Sequence, residues 1–195
     1  MYYNRFMTER ELRGQASGLP VRKDVRLKSF DYKEPRFYHV VICVQDGHCI
    51  LSEVLMPTEH ELKYGIRGNV GVAPESDPQI KLSSLGKIIL GRINRINETS
   101  KRYKIDSFVI MPNHIHMIIQ ILHNGSLSGA TPTISLGQII HHFKSNCTID
   151  AKYKFFQRNY YERIIRNKKE LNETRQYIQN NPVNWLTDFY FVYKK

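Results

Sequence analysis

The hydrophobic pattern of the chain predicts strands wherever aromatic and β-branched residues follow one another in short runs. These segments are 37–44, 49–55, 104–111, 115–122 and 155–165. The dipeptide Asp46-Gly47 favours a tight turn, so the first two strands are expected to pair as a hairpin. Pro112-Asn113 is a second turn signal and predicts that the third and fourth strands pair as antiparallel neighbours.

Apolar residues spaced three and four positions apart predict three amphipathic helices. The first is capped by Ser83 or Ser84, and its apolar stripe is Leu85, Ile88, Ile89, Ile93 and Ile96. The second carries Leu136, Ile139, Ile140 and Phe143. The third opens with a capping box formed by Asn167 and Glu170 and is expected to stop at Pro182. Its stripe is Leu171, Thr174 and Ile178.

The resulting element order, βαββαβα with one additional short strand, favours an α+β fold of the ferredoxin-like sandwich type, an antiparallel sheet with helices on one face. A parallel sheet is disfavoured because the connection between the third and fourth strands is too short for a crossover. We expect an irregular basic arm over 1–30, followed by a single domain over 31–195. Segments 65–79 and 124–133, rich in Gly, Pro, Ser or Thr, are expected to form loops.

Composition and charge narrow the class of partner. Of the 195 residues 41% are hydrophobic and 24% are charged, which excludes collagen-like and wholly disordered proteins. Lys and Arg outnumber Asp and Glu by 29 to 18, a net charge of +11 that attracts nucleic acid. Without a long apolar stretch, a secretory leader or a CxxC pair, we expect a cytoplasmic, nucleoid-associated protein with no membrane partner.

The string His114-Ile115-His116 is the first candidate for chemistry. Because side chains alternate along a strand, the two histidines project from one face, which we expect to be exposed, while Ile115 points into the core. Two adjacent imidazoles suit a divalent metal. The alternative is that they are only solvated or hydrogen-bonded.

Tyr177 and Asn181 are the second candidate. They lie four residues apart, one turn on the same helix face, so a phenol and an amide oxygen can converge on one site. The alternative is a packed tyrosine beside a C-capping asparagine. Tyr160 and Tyr161 compete as nucleophiles, but neighbours on a strand face opposite sides, so only one of them can face the histidines.

Together these segments resemble the single-tyrosine HUH transposases, specifically the REP-associated tyrosine transposases, which are related to transposases of the insertion-sequence-200 type. The resemblance covers most of residues 21–185. Besides the His-hydrophobic-His string, the matching segments are 26–32, 37–44, 82–86, 156–166 and 170–182. The chain departs from the pattern at Arg163, where the family often has His.

The resemblance implies a mechanism and a substrate. His114 and His116 hold a divalent metal, Mg²⁺ or Mn²⁺, with Asn181 at the position of a third ligand that is commonly Gln. Tyr177 is the nucleophile; it displaces the 3′-oxygen of a DNA strand and leaves a 5′-phosphotyrosine, without a nucleotide cofactor. The implied substrate is single-stranded DNA with a hairpin, such as a repetitive extragenic palindrome. Two alternatives are a non-cleaving DNA-binding protein derived from a transposase, and a hydrolase in which water attacks.

Basic residues predict where DNA is held, because Lys and Arg bind phosphates while aromatic rings stack on unpaired bases. One group lies in the arm and one in the aromatic-rich segment 152–169. The candidates are Arg22, Lys23, Arg26, Lys28, Lys154, Arg158, Arg163 and Arg166. The expected oligomeric state is a monomer or a homodimer.

Overall fold

The computed structural model describes residues 31–55, 79–122 and 134–187, which all lie within one compact unit, residues 31–195. The strands are β1 (Phe37–Cys43), β2 (Ser52–Leu55), β3 (Gln79–Leu82), β4 (Tyr103–Ile110), β5 (His114–Ile121) and β6 (Tyr161–Ile165). The helices are α1 (Ser84–Thr99), α2 (Leu136–Ala151), α3 (Lys168–Gln179) and α4 (Asn181–Thr187). The predicted arm and the loops predicted over 65–79 and 124–133 lie outside the described residues, except for Gln79, which is the first residue of β3 and not part of a loop.

The main sheet is antiparallel and has the order β4-β5-β1-β6. The α+β ferredoxin-like prediction is confirmed in this order and in the β4–β5 hairpin. Alternate residues give the sheet two faces. One, the histidine face, carries His39, His114 and His116; the other, the apolar face, carries the fully buried side chains of Tyr38, Val40, Ile42, Ile115 and Met117.

The predicted pairing of the first two strands is wrong. Asp46 and Gly47 do turn the chain, with φ values of 56° and 67°. However, both edges of β1 are already occupied, by β5 and β6, so the chain after the turn cannot pair with it. Residues 52–55 pair instead with β3, a strand absent from our prediction, in a separate two-stranded sheet.

Helices α1 and α2 pack together against the apolar face, linked by a two-pronged ion pair between Arg92 and Asp150. Ser83 caps α1 as expected, by accepting a hydrogen bond from the backbone N–H of Gly86. Gly86 sits so close to Leu51 that a Cβ there would overlap the Leu51 carbonyl oxygen, which requires glycine.

The last helices cover the opposite, histidine face, so helices do not lie on one face alone. Leu171 and Ile178 of α3 and Trp185 of α4 pack on Ile118 and Ile165 of the sheet. The predicted end of the third helix near Pro182 is confirmed, since α3 ends at Gln179. The sequence did not predict a further helix, α4, which provides part of this cover. A new helix begins at Asn181, since proline lacks only an N–H that the first helical turn leaves unbonded in any case.

Two further details differ from the predictions. Asn167 caps α3 by accepting from the Glu170 N–H, but the Glu170 carboxylate reaches the N–H of Arg166 rather than that of Asn167. The strand predicted over 155–165 forms only at 161–165, because Phe155 and Phe156 are buried in an irregular segment with a single bridge, from Phe156 to Val44. Among the described helices, none is long and apolar enough to cross a membrane.

Candidate functional site

Three histidines form the centre of the histidine face. His114 and His116 project side by side from β5, with ring centroids 4.7 Å apart, as the alternation predicted. His39 joins them from β1: its Nε2 lies 3.1 Å from Nδ1 of His116, and the two rings are stacked. Sequence reasoning missed His39, although a single histidine inside the apolar run 37–44 was a signal for it.

His114 is oriented from two sides. Its Nδ1 lies 2.6 Å from Oδ1 of Asn113, the residue that also ends the β4–β5 turn. The side chain of Asn181 forms a further hydrogen bond with the His114 ring. Asn181 is buried as the first residue of α4, so it reaches His114 from a junction between two helices rather than from the next turn of α3.

Tyr177 is the tyrosine in contact with the histidines. It lies on the buried side of α3, and its ring meets the rings of His116 and His39 edge-on, at centroid distances of 5.4 and 6.1 Å. Tyr160 instead lies against α2, beneath the ammonium group of Lys144. Tyr161 shares the histidine face, but β1 lies between it and His116 in the register.

The expectation that this face is exposed is wrong. Only 4% of His39 and 6% of His116 is accessible to solvent, because α3 and α4 cover them and Trp185 lies 5.9 Å from the His114 ring. Burial, and to a lesser extent the charge of Arg163, lowers the pKa of His39 to about 4. Burial also lowers the pKa of His114 to about 4, partly offset by the hydrogen bond to Asn181.

His116 shows the same effect. Burial, followed by the neighbouring His114 and His39, holds the pKa of His116 well below its ordinary value of 6.5. All three imidazoles are therefore neutral at pH 7. A neutral imidazole has a free lone pair, which is the form that binds a metal ion.

The histidine face offers nitrogen and oxygen atoms that could bind a divalent ion. Within the described part of the chain, no three His, Cys, Asp or Glu side chains are grouped to hold a metal. A metal would therefore rely on the two neutral imidazoles of His114 and His116 together with the amide oxygen of Asn181. Two nitrogen ligands and one oxygen ligand would leave coordination positions for substrate oxygens, and of the two expected ions Mn²⁺ accepts imidazole nitrogen more readily than Mg²⁺.

Four of the basic residues predicted to hold DNA are described by the structure, and they differ in exposure. Lys154, Arg158 and Arg166 are exposed on the segment that leads into and out of β6. Arg163 is half-buried and lies directly across the sheet from His39, on the histidine face. The remaining candidates lie outside the described residues; they are Arg22, Lys23, Arg26 and Lys28.

The chain is similar to known proteins in both sequence and fold. Residues 84–181, half of the chain, match the family model of transposases described as IS200-like. An uncharacterized protein of Haemophilus influenzae is 28% identical over 194 residues, covering 90% of this chain and 96% of that protein. The solved structure of a REP-associated tyrosine transposase bound to a REP hairpin has a similar fold, with a TM-score of 0.50 and 14% identity over 82% of this chain and 73% of that one.

Proposed function

Since the chain belongs to the IS200-like transposase family, we propose that it is a metal-dependent single-stranded DNA endonuclease and strand transferase with Tyr177 as its nucleophile. The observation that carries this proposal is the convergence of the Tyr177 ring on His116 and His39, beside the pair formed by His114 and Asn181. Tyr177 and Asn181 lie on two different helices. A phenol and an amide therefore meet at the paired histidines from separate elements, which packing of a single helix does not require.

The chemistry follows from the residues present. The phenol oxygen of Tyr177 forms a bond to phosphorus, and the bond from phosphorus to the 3′-oxygen breaks. The phenol releases one proton and the departing 3′-oxygen takes up one proton. The step therefore consumes neither water nor a nucleotide cofactor. A divalent ion bound by His114, His116 and Asn181 would withdraw charge from a phosphate oxygen. The 5′-phosphotyrosine keeps the energy of the broken bond and allows transfer to another 3′-end.

The proposed substrate is single-stranded DNA with a hairpin, as for the REP-associated branch of the family. The structural relative was solved with a REP hairpin, and the exposed Lys154, Arg158 and Arg166 offer this chain cations for a DNA backbone. Tyr153, which is also exposed in that segment, offers a ring on which an unpaired base can stack. A DNA substrate would associate the protein with the nucleoid.

Denaturing electrophoresis of the protein mixed with an end-labelled hairpin oligonucleotide and Mn²⁺ tests this function. We expect a covalent protein–DNA band that Tyr177→Phe removes, because that change deletes one hydroxyl and little packing. Tyr161→Phe is the matched control, since Tyr161 shares the histidine face, and it should leave the band unchanged.

Each of the other outcomes would indicate a different activity or a different nucleophile for this protein. Cleavage without a covalent band would indicate that water attacks, as in a hydrolase. Retention of the oligonucleotide in native gels without cleavage would indicate a DNA-binding protein that has lost the reaction. An adduct that survives in Tyr177→Phe and disappears in Tyr161→Phe would move the nucleophile from α3 to β6.

A further inference from the structure

We propose that His39 is a positioning residue that fixes the tautomer of His116, so that His116 presents an unprotonated Nε2 to the divalent ion. The inference rests on the proposed function, because it concerns the metal site of that reaction. It assigns a role to a residue outside the proposed set of metal ligands. Its basis is the pairing of Nδ1 of His116 with Nε2 of His39 at 3.1 Å.

His114, the other proposed histidine ligand, also has a partner at its Nδ1, and there the donor and the acceptor can be told apart. The Asn113 amide directs its Nδ2 toward the carbonyl of Gly47, a long contact of 3.5 Å, and its Oδ1 toward Nδ1 of His114. An amide oxygen can only accept, so Nδ1 of His114 must donate. A neutral imidazole carries one proton, so Nε2 of His114 keeps its lone pair, and any hydrogen bond between that atom and Asn181 is one in which the Asn181 amide donates.

The same reasoning selects one of two states for the histidine pair. If His39 donated, the proton of neutral His116 would lie on Nε2 and block the metal. If His116 donates from Nδ1, its Nε2 is free and His39 is the acceptor. Metal binding therefore requires the second state, in which both ligands use Nε2 and both Nδ1 atoms are held by an acceptor. Acceptors of this kind orient metal-bound histidines and raise their basicity.

The position of His39 suits this role. It lies on β1, in the middle of the sheet between Ile118 and Arg163, so its ring is fixed by two neighbouring strands. It is 4% exposed, and its ring is stacked on that of His116 and bounded by Tyr177. Water therefore has little room to replace it as the acceptor.

The first test measures the affinity of the full-length protein for Mn²⁺ alone, without DNA, by titration calorimetry. His39→Leu removes the acceptor while keeping the site filled, and we expect Mn²⁺ binding to weaken by roughly 10-fold to 100-fold. His39→Gln carries an oxygen that can accept, and it should recover part of the loss. His142→Leu removes an exposed histidine of α2 and is the control expected to bind like the wild type.

The second test observes the tautomer directly, by nitrogen-15 NMR of the imidazole rings in the wild-type protein. We expect His116 to carry its proton on Nδ1 and His39 to carry its proton away from Nε2, and this reading does not depend on whether His39→Leu folds. A His116 protonated on Nε2 in the presence of Mg²⁺ would overturn the assignment.

The outcomes separate this inference from the proposed function. Wild-type binding of Mn²⁺ with no loss in His39→Leu would overturn the positioning role and leave the transposase chemistry standing. A wild-type protein that binds no Mn²⁺ would overturn the metal-dependent function and this role together.

Discussion

The two faces of the main sheet are built from alternate residues of the same strands, yet they have opposite chemistry. On the apolar face, Tyr38, Val40, Ile42, Ile115 and Met117 are wholly buried beneath α1 and α2. On the histidine face, the same two strands contribute His39, His114 and His116, which meet Tyr177 and Asn181 from the last two helices.

The fold therefore assigns stability to one face of the sheet and the candidate chemistry to the other. Burying an apolar side chain stabilises the folded state by about 1.5–3 kcal/mol, whereas burying an imidazole requires a hydrogen bond to offset its lost hydration. The apolar face stabilises the fold by burying apolar side chains. The histidine face keeps neutral imidazoles in pairs that a metal ion can use, and it depends on the rest of the sheet to hold them there.

Alanine substitutions at two neighbouring positions of β5 should have the strongest consequences. His114→Ala should reduce adduct formation by roughly 100-fold or more, because a lost ligand removes several kcal/mol of charge stabilisation. Ile115→Ala should instead lower the free energy of unfolding by about 2–5 kcal/mol and keep the reaction of the molecules that remain folded.

Urea unfolding and the gel assay, run on both variants at one low temperature, measure the two effects. His116→Ala should abolish the adduct as well, but because His116 is buried and bonded to His39 it will also cost stability, contrary to what an exposed face would predict. If Ile115→Ala lost the adduct while folded, the division between the faces would not hold.

Lowering the pH should reduce the free energy of unfolding by a smaller amount, and this loss should come from the histidine face. In the unfolded chain His39 binds a proton below pH 6.5, while in the folded protein it does so only near pH 4. The unfolded state therefore binds more protons in this window, and stability falls as the pH falls from 6.5 to 4. The shift corresponds to at most about 3 kcal/mol from His39.

Urea unfolding at a series of pH values measures this loss as a difference between proteins. His39→Gln should reduce the slope between pH 6.5 and 4 without abolishing it, because burial also lowers the pKa values of His114 and His116. Ile115→Ala should lower stability at every pH without changing the slope. His142→Gln, at an exposed position on α2, should behave like the wild type. Equal slopes in the wild type and His39→Gln would contradict the buried neutral state of His39.

The sequence predicted what depends on local periodicity. The alternation along β5 placed His114 and His116 on one face, and the stripes of α1 and α2 identified Ile89, Ile93 and Phe143 as buried. The family resemblance named Tyr177, which the structure brings to the histidines. These features need only the preferred geometry of a strand, a helix or a known motif.

What the sequence missed depends on partners far along the chain. Whether the strand after Asp46-Gly47 pairs with β1 is decided by β5 and β6, which take both its edges. His39 acquires its meaning from His116, 77 residues away. Asn181 was expected one turn after Tyr177 on the same helix, but it reaches His114 as the first residue of α4, a helix that the stop signal at Pro182 did not predict.

Two similar ion pairs, one on each side of the main sheet, should differ slightly in their influence on the reaction. Arg92 of α1 grips Asp150 of α2 on the apolar side, and Arg175 of α3 grips Asp106 on the edge strand β4. Asp106 lies at the register shift between Ile105 and Ser107, and Nε of Arg175 donates to its Oδ2 at 2.8 Å. Arg175 is two residues from Tyr177, so this pair connects β4 to the helix that carries the proposed nucleophile.

Both pairs are partly solvated, so replacing either arginine should change the unfolding temperature little. Arg175→Gln should nevertheless slow adduct formation several-fold, because Tyr177 would be held less firmly over the histidines. Arg92→Gln should leave the rate unchanged, since α1 and α2 contribute nothing to the site. Single-turnover gels at saturating Mn²⁺ and DNA measure the rate of adduct formation apart from binding. Equal rates in the two variants would mean that packing of Leu171 and Ile178, and not the ion pair, holds α3 in position.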